Sequence, residues 1–335
     1  MNPEQLMKHA IELSLKGASF TYPNPIVGAV IADSSGQIIS EGFHAGAEHA
    51  EVLAINNAKS IPVDAILFVT LEPCNHFGKT PPCTDAIIAS GIKNVVFATN
   101  DPNPIAAGGA NKLLAAGINV TSGLLANEAA MANRAWLTKM EKGRARFIWK
   151  IASTIDGKVA AQDGSSKWIS SDQSRSDVAK LRAQSDAILT SSKTVIADNP
   201  TLDSKGVGSN PHLIVMGQSK IDASSNIFND LAKTKIINSR NIADLLNFVK
   251  SEGFNQVLVE AGPNFGGALL AAGLIDEIVI YLAPAILGSG LSAIADLGIK
   301  SIDEKLQLSL ISQEVIDQDI KITYQLEANN LIGAN

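Results

Sequence analysis

Glu72-Pro73-Cys74-Asn75-His76-Phe77-Gly78-Lys79-Thr80-Pro81-Pro82-Cys83 is the stretch around which the chain is organised, read together with His49-Ala50-Glu51 upstream of it. The 335-residue chain has two cysteines, and both lie in this stretch. One histidine and two cysteines are three soft-to-borderline ligands, the set of a catalytic zinc site with one position left for water. Glu51, two residues after His49, is placed to stand beside that water rather than on the metal.

The residues around these ligands predict how they meet. Ala65 to Thr70 is a strand-like apolar run, and Cys74 falls just past its end. Glu48 to Ala58 reads as a helix with His49 and Glu51 in its first turn. Cys83 follows two prolines, which are tolerated where a helix begins, and Asp85 to Ala89 continues that helix up to Gly91. Both cysteines therefore point toward one spot at the C-terminal edge of a sheet.

Outward from this centre, strand and helix alternate. Residues 3 to 17 read as an amphipathic helix ended by Gly17, and Ile26 to Ile31 and Gln37 to Phe43 as strands. Asn94 to Thr99 and Ile118 to Ser122 are strands, with helices over Ala110 to Ala116 and Asn127 to Met140. Such alternation predicts a layered α/β sheet with helices on both faces. The polar run Lys139 to Arg144 closes the unit, giving a boundary between residues 144 and 145. The second half restarts with a strand over Phe147 to Ser153. Further strands are expected at Ala187 to Thr190, His212 to Met216, Thr234 to Asn238 and Gln256 to Glu260, and helices at Ser174 to Ala183 and Ile242 to Ser251. A glycine-rich break, Glu260 to Gly267, leads into a helix over Ala268 to Ala272. Strands over Glu277 to Ala283, Leu306 to Val315 and Ile320 to Gln325 give an antiparallel end.

Composition narrows the class. Hydrophobic residues are 46% and charged residues 18%, a globular balance. A net charge of −6 gives no electrostatic reason to expect DNA or RNA as partner. Two cysteines cannot form a disulfide framework, no apolar run is long enough to span a bilayer, and the N-terminus lacks the features of a signal peptide. A cytoplasmic protein with no membrane partner is the expectation.

The pattern H-x-E…P-C…C is the signature of zinc deaminases acting on bases. Zinc lowers the pKa of a bound water toward neutrality, and Glu51 is placed to move protons from the water to the departing amine. Eight residues separate the cysteines here, in place of the two of the general signature. The wider loop carries His76 and Lys79, and an ammonium such as that of Lys79 suits a phosphate. Asn24, between two prolines, has the chemistry to bond a heterocycle edge. In the second half, the Gly262 to Gly267 turn offers backbone N–H groups and a helix dipole to a phosphate, without the Rossmann spacing.

His49-Ala50-Glu51 and Thr70-Leu71-Glu72-Pro73-Cys74-x8-Cys83, preceded by Pro23-Asn24-Pro25-x-Val27-Gly28, resemble the bifunctional riboflavin-biosynthesis deaminase/reductase family. Gly78-Lys79-Thr80-Pro81-Pro82-Cys83 and Asp101-Pro102-Asn103-Pro104 are characteristic of its pyrimidine deaminase half. In the expected order for the reductase half stand Lys150-x-Ala152, Asp156-Gly157, Trp168-Ile169-Ser170-Ser171, Leu181-Arg182-Ala183, Thr194-Val195-x-Ala197-Asp198-x-Pro200-x-Leu202 and Glu260-Ala261-Gly262-Pro263. The resemblance covers nearly the whole chain. It implies a cytidine-deaminase-like three-layer α/β/α domain over 1–144 and a dihydrofolate-reductase-like α/β domain over 145–335.

The same resemblance implies zinc on His49, Cys74 and Cys83, with Glu51 as proton shuttle. It implies a deaminase pocket shaped by Asn24, His76, Lys79, Asp101 and Asn103. It implies NADPH on Ala152, Trp168, Thr194, Asp198 and the turn Gly262, Pro263, Asn264, Phe265, Gly266, Gly267, Ala268. The substrate falls to Ser166, Arg182, Leu202, Lys205 and Glu260, with Lys150 and Glu260 at the reacting ribose and Arg182 suited to the phosphate. A small phosphorylated pyrimidine is the implied substrate and a homo-oligomer, most simply a dimer, the implied assembly. Three features depart from the family pattern: a short loop Ala45 to Glu48, Lys205 in place of arginine, and Met216-Gly217 after a central strand. Two rival readings remain, a nucleic-acid base deaminase with an accessory domain and a zinc module without catalysis. The acidic charge and the long inter-cysteine loop disfavour the first, and Glu51 disfavours the second.

Overall fold

The structure, a computed structural model, describes residues 1–326 apart from Ser19, Phe20, Ala45 and Lys79 and the side chains of Leu231 and Ala232. The chain divides into two compact units, Met1–Gly143 and Arg144–Asn335.

The first unit contains α1 (Pro3–Ser14), β1 (Gly28–Ala32), β2 (Ile38–Phe43), α2 (Ala50–Asn57), β3 (Ile66–Leu71), α3 (Cys83–Ser90), β4 (Asn94–Thr99), α4 (Gly109–Ala115), β5 (Asn119–Ser122), α5 (Ala126–Ala132) and α6 (Arg134–Lys142). Its five strands lie in the order β2-β1-β3-β4-β5. β1 is antiparallel to both neighbours, whereas β3, β4 and β5 run parallel. Because successive strand residues face opposite sides, β1 and β3 feed two cores. Ala29, Ile31, Leu67 and Val69 pack on one side with Ala54, Ile87 and Leu113, from α2, α3 and α4. Val30, Ala32 and Phe68 pack on the other with Leu6, Met7, Ala10 and Ala129, from α1 and α5. The result is the three-layer α/β/α arrangement. The single helix expected over Asn127 to Met140 is two helices. They meet at Asn133, whose φ of −96° and ψ of 14° leave the helical range and whose Oδ1 accepts a bond from the Ile26 N–H at 3.2 Å.

The second unit contains β6 (Arg146–Thr154), β7 (Lys158–Ala160), α7 (Asp172–Ala183), β8 (Ala187–Ser191), α8 (Ser192–Asp198), β9 (His212–Met216), β10 (Thr234–Ile237), α9 (Ile242–Glu252), β11 (Gln256–Val259), α10 (Pro263–Ala271), β12 (Ile275–Ala283), β13 (Leu291–Ser292), β14 (Leu308–Ile316) and β15 (Asp319–Leu326). Eight strands form one sheet in the order β10-β9-β8-β11-β6-β12-β15-β14, and β7 pairs with β13 as a separate ribbon. The run from β10 to β12 is parallel, and β15 and β14 add the antiparallel end. β12 is parallel to β6 and antiparallel to β15, so the last three sheet strands form the antiparallel end that the sequence pattern predicts. The helix after Glu260 begins at Pro263, earlier than expected, because proline is compatible with a first helical turn.

β6 is the spine of this sheet, and its only half-buried positions are Lys150 and Ala152. At the opposite end of the strand Arg146 pairs with Glu277 in a fully buried contact. Beside it Arg144 clasps Asp276 with two bonds, of 2.7 and 3.0 Å, and Asp276 also accepts the Phe147 N–H at 2.9 Å. Removing one partner of a buried ion pair strands the other charge, which costs more than replacing both by apolar groups. Arg146→Met alone is therefore expected to lower stability by about 3–5 kcal/mol. The pair Arg146→Met with Glu277→Leu is expected to recover most of that loss in urea titrations followed by circular dichroism.

Candidate active sites

In the first unit the edge that matters is the C-terminal end of the parallel strands, where loops are free to diverge and hold ligands. Cys74 leaves that edge two residues after the last β3 ladder bond, from the Glu72 N–H to the Thr99 carbonyl at 2.8 Å. Cys83 is the first residue of α3. His49 caps α2 in an extended conformation, φ −79° and ψ 151°, so it stands just outside the first turn in which the sequence pattern sets it. Three separate elements thus deliver three side chains to one point. His49 Nδ1 lies 3.1 Å from Cys83 Sγ and 3.5 Å from Cys74 Sγ, and the three donor atoms all fall within 4.8 Å of one another. A tetrahedral zinc with Zn–S of about 2.3 Å and Zn–N of about 2.05 Å holds S and N roughly 3.6 Å apart. The donor set fits that ion in chemistry, number and spacing.

Electrostatics at this point are strongly coupled. The Cys83 thiol donates toward Cys74 and holds its sulfur down to about 4, with burial working the other way. Cys83, bonded to that thiolate and buried, is pushed up. The bond with Cys74 raises His49, against its burial. Glu51, in the first turn of α2 and 4% exposed, is lifted to about 7 by burial and then by the Cys74 charge. A carboxyl in that range is suited to both taking and giving a proton.

Of the expected pocket residues, Asp101 is buried and His76 and Asn103 half-buried. Burial raises the Asp101 carboxyl, an effect that the Asn103 N–H bond of 2.8 Å and the nearby His76 oppose. His76 Nδ1 is buried and has no hydrogen-bond partner among the described residues. Asn24 is exposed, with its backbone N–H in a turn to Thr21 at 2.8 Å. Lys79 lies outside the described residues, as does Ala45 of the short loop. His44 was not singled out by the sequence pattern. It is buried, its ring stands 5.1 Å from that of His49, and its Nδ1 meets the Pro25 carbonyl at 3.0 Å. Its role depends on contacts distant in the chain, and no local spacing marks it.

In the second unit a second constellation sits where β11 ends and α7 crosses. Arg182 grips Glu260 with both prongs, Nε to Oε1 at 2.6 Å and Nη2 to Oε2 at 2.9 Å, and gives Nη1 to the Asp203 carbonyl at 3.1 Å. Lys150 Nζ stands 3.9 Å from Glu260 Oε2. Burial alone would raise the Glu260 carboxyl; Arg182, then Lys150, reverse this and hold it below its ordinary value. Burial pulls the Lys150 ammonium down, with Glu260 offsetting part of the shift.

The expected cofactor residues are distributed less evenly. Thr194 Oγ1 accepts from the Gly262 N–H at 3.4 Å and touches Ser191 Oγ at 2.9 Å, which ties α8 to the glycine turn. A side chain on Gly262 would meet open space. Trp168 is 72% exposed, with the Arg175 guanidinium 4.4 Å above its ring. Asn264 and Ala268 are exposed, Asp198 closes α8, and Ser166 is half-buried. Pro263, Gly266 and Gly267 turn inward, and Phe265 is half-buried. A Cβ on Gly266 would lie 2.1 Å from the Trp149 indole, so its lack of a side chain is required by packing. Leu202 puts its side chain into the core with Val195 and Val215, leaving its backbone as the part available to a ligand. Lys205 is exposed and paired with Asp203 at 3.0 Å. Gly217, one of the departures from the family pattern, has φ +139°, and a Cβ there would come 2.2 Å from Ser192 Oγ.

Comparison with known proteins matches both units. Residues 1–99 match the cytidine and deoxycytidylate deaminase zinc-binding region, and residues 145–322 match the RibD C-terminal domain. The chain is 41% identical to the riboflavin biosynthesis protein RibD of Mycobacterium tuberculosis over 96% of its own length and 99% of that protein. The chain belongs to the RibD family. RibD of Escherichia coli is 39% identical over 86% of this chain and 89% of its own. The crystal structure of the Thermotoga maritima diaminohydroxyphosphoribosylaminopyrimidine deaminase/5-amino-6-(5-phosphoribosylamino)uracil reductase superposes with a TM-score of 0.89 at 33% identity, covering 97% of this chain and 98% of that one. A structure of Acinetobacter baumannii RibD gives 0.86 at 34%, with the same coverage. As a RibD-family member the chain is a bifunctional enzyme of riboflavin biosynthesis, with a zinc-binding deaminase unit and an NADPH-dependent reductase unit. The reading of the second half as an accessory domain is thereby overturned. Among the described residues no helix is long and apolar enough to cross a membrane.

Proposed function

We propose that residues 1–144 hydrolyse the amine from 2,5-diamino-6-(5-phosphoribosylamino)pyrimidin-4(3H)-one and that residues 145–335 then reduce its ribosyl group to a ribityl chain. The observation that carries the reading is the convergence of His49, Cys74 and Cys83 beside a buried Glu51, in a chain that also holds Lys150, Glu260 and Arg182 as one cluster.

His49, Cys74 and Cys83 hold the zinc, which when bound supplies an ionised water at neutral pH. Glu51 carries the protons: its buried carboxylate takes one up and delivers it to the ring nitrogen and the departing amine. Asp101, Asn103, His76, Lys79 and Asn24 bound the pocket, with Lys79 answering the substrate phosphate. In the reductase unit NADPH supplies the hydride. Thr194, Asp198, Ala152, Trp168 and the Gly262 turn bind and orient the cofactor. Support for this comes from Thr194 and the Gly262 turn, which follow β8 and β11 at the C-terminal ends of parallel strands and are joined by the Gly262 N–H to Thr194 Oγ1 contact, and from Thr190 Oγ1 near the end of β8, a buried hydroxyl oxygen with no hydrogen-bond partner among the described residues. Arg182 and Glu260, with Lys205, Ser166 and the Leu202 backbone, hold the phosphorylated sugar. Lys150 and Glu260 keep an ammonium and a carboxylate against the reacting carbon, so a proton is at hand when the hydride arrives. The acidic chain acts on this small molecule and not on nucleic acid, in the cytoplasm, as a homo-oligomer whose simplest form is a dimer.

Mass spectrometry of the pyrimidine incubated with the full chain is expected to show ammonia loss without NADPH and a further gain of two hydrogens with it. Glu51→Gln should lower ammonia release by about 10²–10⁴-fold, with zinc content and reduction of the deaminated product retained. Ammonia release that survives this change would overturn the proton-carrier role. Arg182→Lys replaces a two-pronged grip by a point charge, and loss of charge-assisted bonds of about 1.5–3 kcal/mol predicts a reductase KM raised by roughly 10–100-fold. Steady-state kinetics on the deaminated substrate provide the check, with deaminase rates unchanged.

A further inference from the structure

Glu72 has no part in the chemistry above, yet it is a buried carboxylate two residues from a metal ligand. It stands where β3 and β4 part company: its N–H closes the ladder on Thr99, and beyond it the two chains diverge. Across that split Glu72 Oε2 accepts the Asp101 N–H at 3.2 Å and Oε1 accepts the Ala110 N–H at 3.0 Å. Those two donors bracket the loop between β4 and α4. Inside the bracket lie Asp101, Asn103 and Ala106, and the Ala106 carbonyl takes the Asn75 N–H at 2.9 Å. Ala106 packs against both cysteines. At the far end Gly109 lies against the Pro73 carbonyl so closely that a Cβ would sit 1.8 Å from the oxygen.

Among neutral and acidic side chains only a carboxylate offers acceptor oxygens on both prongs; glutamine would turn an N–H₂ toward one of the two backbone donors. We propose that Glu72 is the positioning residue of the zinc site, holding the Asp101–Gly109 loop down over Cys74 and Cys83. The inference rests on the zinc-deaminase reading of that site. Through the loop, one side chain sets both how tightly the sulfurs are covered and where Asp101 and Asn103 stand. Partners of this kind commonly contribute about 10–100-fold in metal affinity or activity.

The test compares the full chain with Glu72→Gln and Glu72→Asp. In Glu72→Gln, zinc should be released to excess EDTA at least about tenfold faster. Its pyrimidine KM should rise, and amides 101–110 should exchange faster with solvent while those of α1 and β1 stay protected. The reductase activity of the same molecules should be unchanged. Glu72→Asp, which keeps both acceptors on a shorter stem, should fall between parent and Glu72→Gln in zinc release. Unchanged zinc release and KM in Glu72→Gln would overturn the proposal, as would loss of protection throughout the first unit. The parent alone gives a check free of any variant: the Asp101 and Ala110 amides should exchange as slowly as those of the β3–β4 ladder, and exchange at the rate of the exposed Ile105 would overturn the clamp. A parent that retains no zinc would instead remove the deaminase reading, leaving the amide comparison to decide on the clamp by itself.

Discussion

The Pro73–Cys74 step takes the chain out of the sheet at the C-terminal edge of β3, and the first unit depends on that exit. A cysteine two positions earlier, in place of Glu72, would still be held in the ladder with Thr99, and its sulfur would turn toward the loop between β4 and α4 as the Glu72 carboxylate does. Proline enforces the departure, because it has no N–H to continue the ladder and restricts the residue before it. Pro81-Pro82 does the corresponding work for Cys83 by starting α3 at the residue that must point back. His49 caps α2 without a side-chain bond to its own helix, which leaves Nδ1 free for the sulfurs. Three rules of local backbone chemistry thus meet in a donor set that no single element could provide.

The second unit solves a different problem, keeping a carboxylate charged where it is buried. Glu260 is buried, and an isolated buried carboxylate would take up a proton rather than stay ionised. The two-pronged Arg182 contact and the Lys150 ammonium keep it charged. Such a cluster gives little net stability, since desolvation offsets most of its attraction. The binding role proposed for it accounts for its place in the sheet. The Arg146–Glu277 pair at the other end of β6 is buried on both partners, and its role is structural.

How much of this was legible in the sequence follows from how local each cause is. The parallel strands were legible because short apolar runs lie between glycine, proline and polar breaks, and His49, Cys74 and Cys83 because their chemistry has few other uses at that spacing. α8, seven residues starting from a Ser191 cap, and the three- and two-residue strands of the β7–β13 ribbon are too short to show a period. The split at Asn133 depends on a bond to Ile26, 107 positions away. Glu72 stood in view within the Thr70–Cys74 motif and His44 in none, and the contacts of both are with backbone groups of distant segments. The Gly262–Ala268 turn shows the converse. Its glycines invite a phosphate reading, yet at Gly266 the absence of a side chain is already required by Trp149, whereas a Cβ on Gly262 would meet open space, so the two glycines have different causes.

Arg182 raises the question of how one side chain can serve both an internal carboxylate and an incoming phosphate. A guanidinium has five N–H donors. One on Nε and one on Nη2 go to Glu260, and one on Nη1 goes to the Asp203 carbonyl. Two remain, one on each terminal nitrogen, set at the fixed angle of the fork. A phosphate bound there would bring negative charge toward Glu260, and Lys150 and Lys205 stand where they offset it, the first beside Glu260 and the second beside Asp203. Arg182 therefore has no need to release Glu260 when substrate enters. Because the carboxylate holds its rotamer beforehand, a phosphate at these two donors would find the fork already set, with little side-chain entropy left to lose.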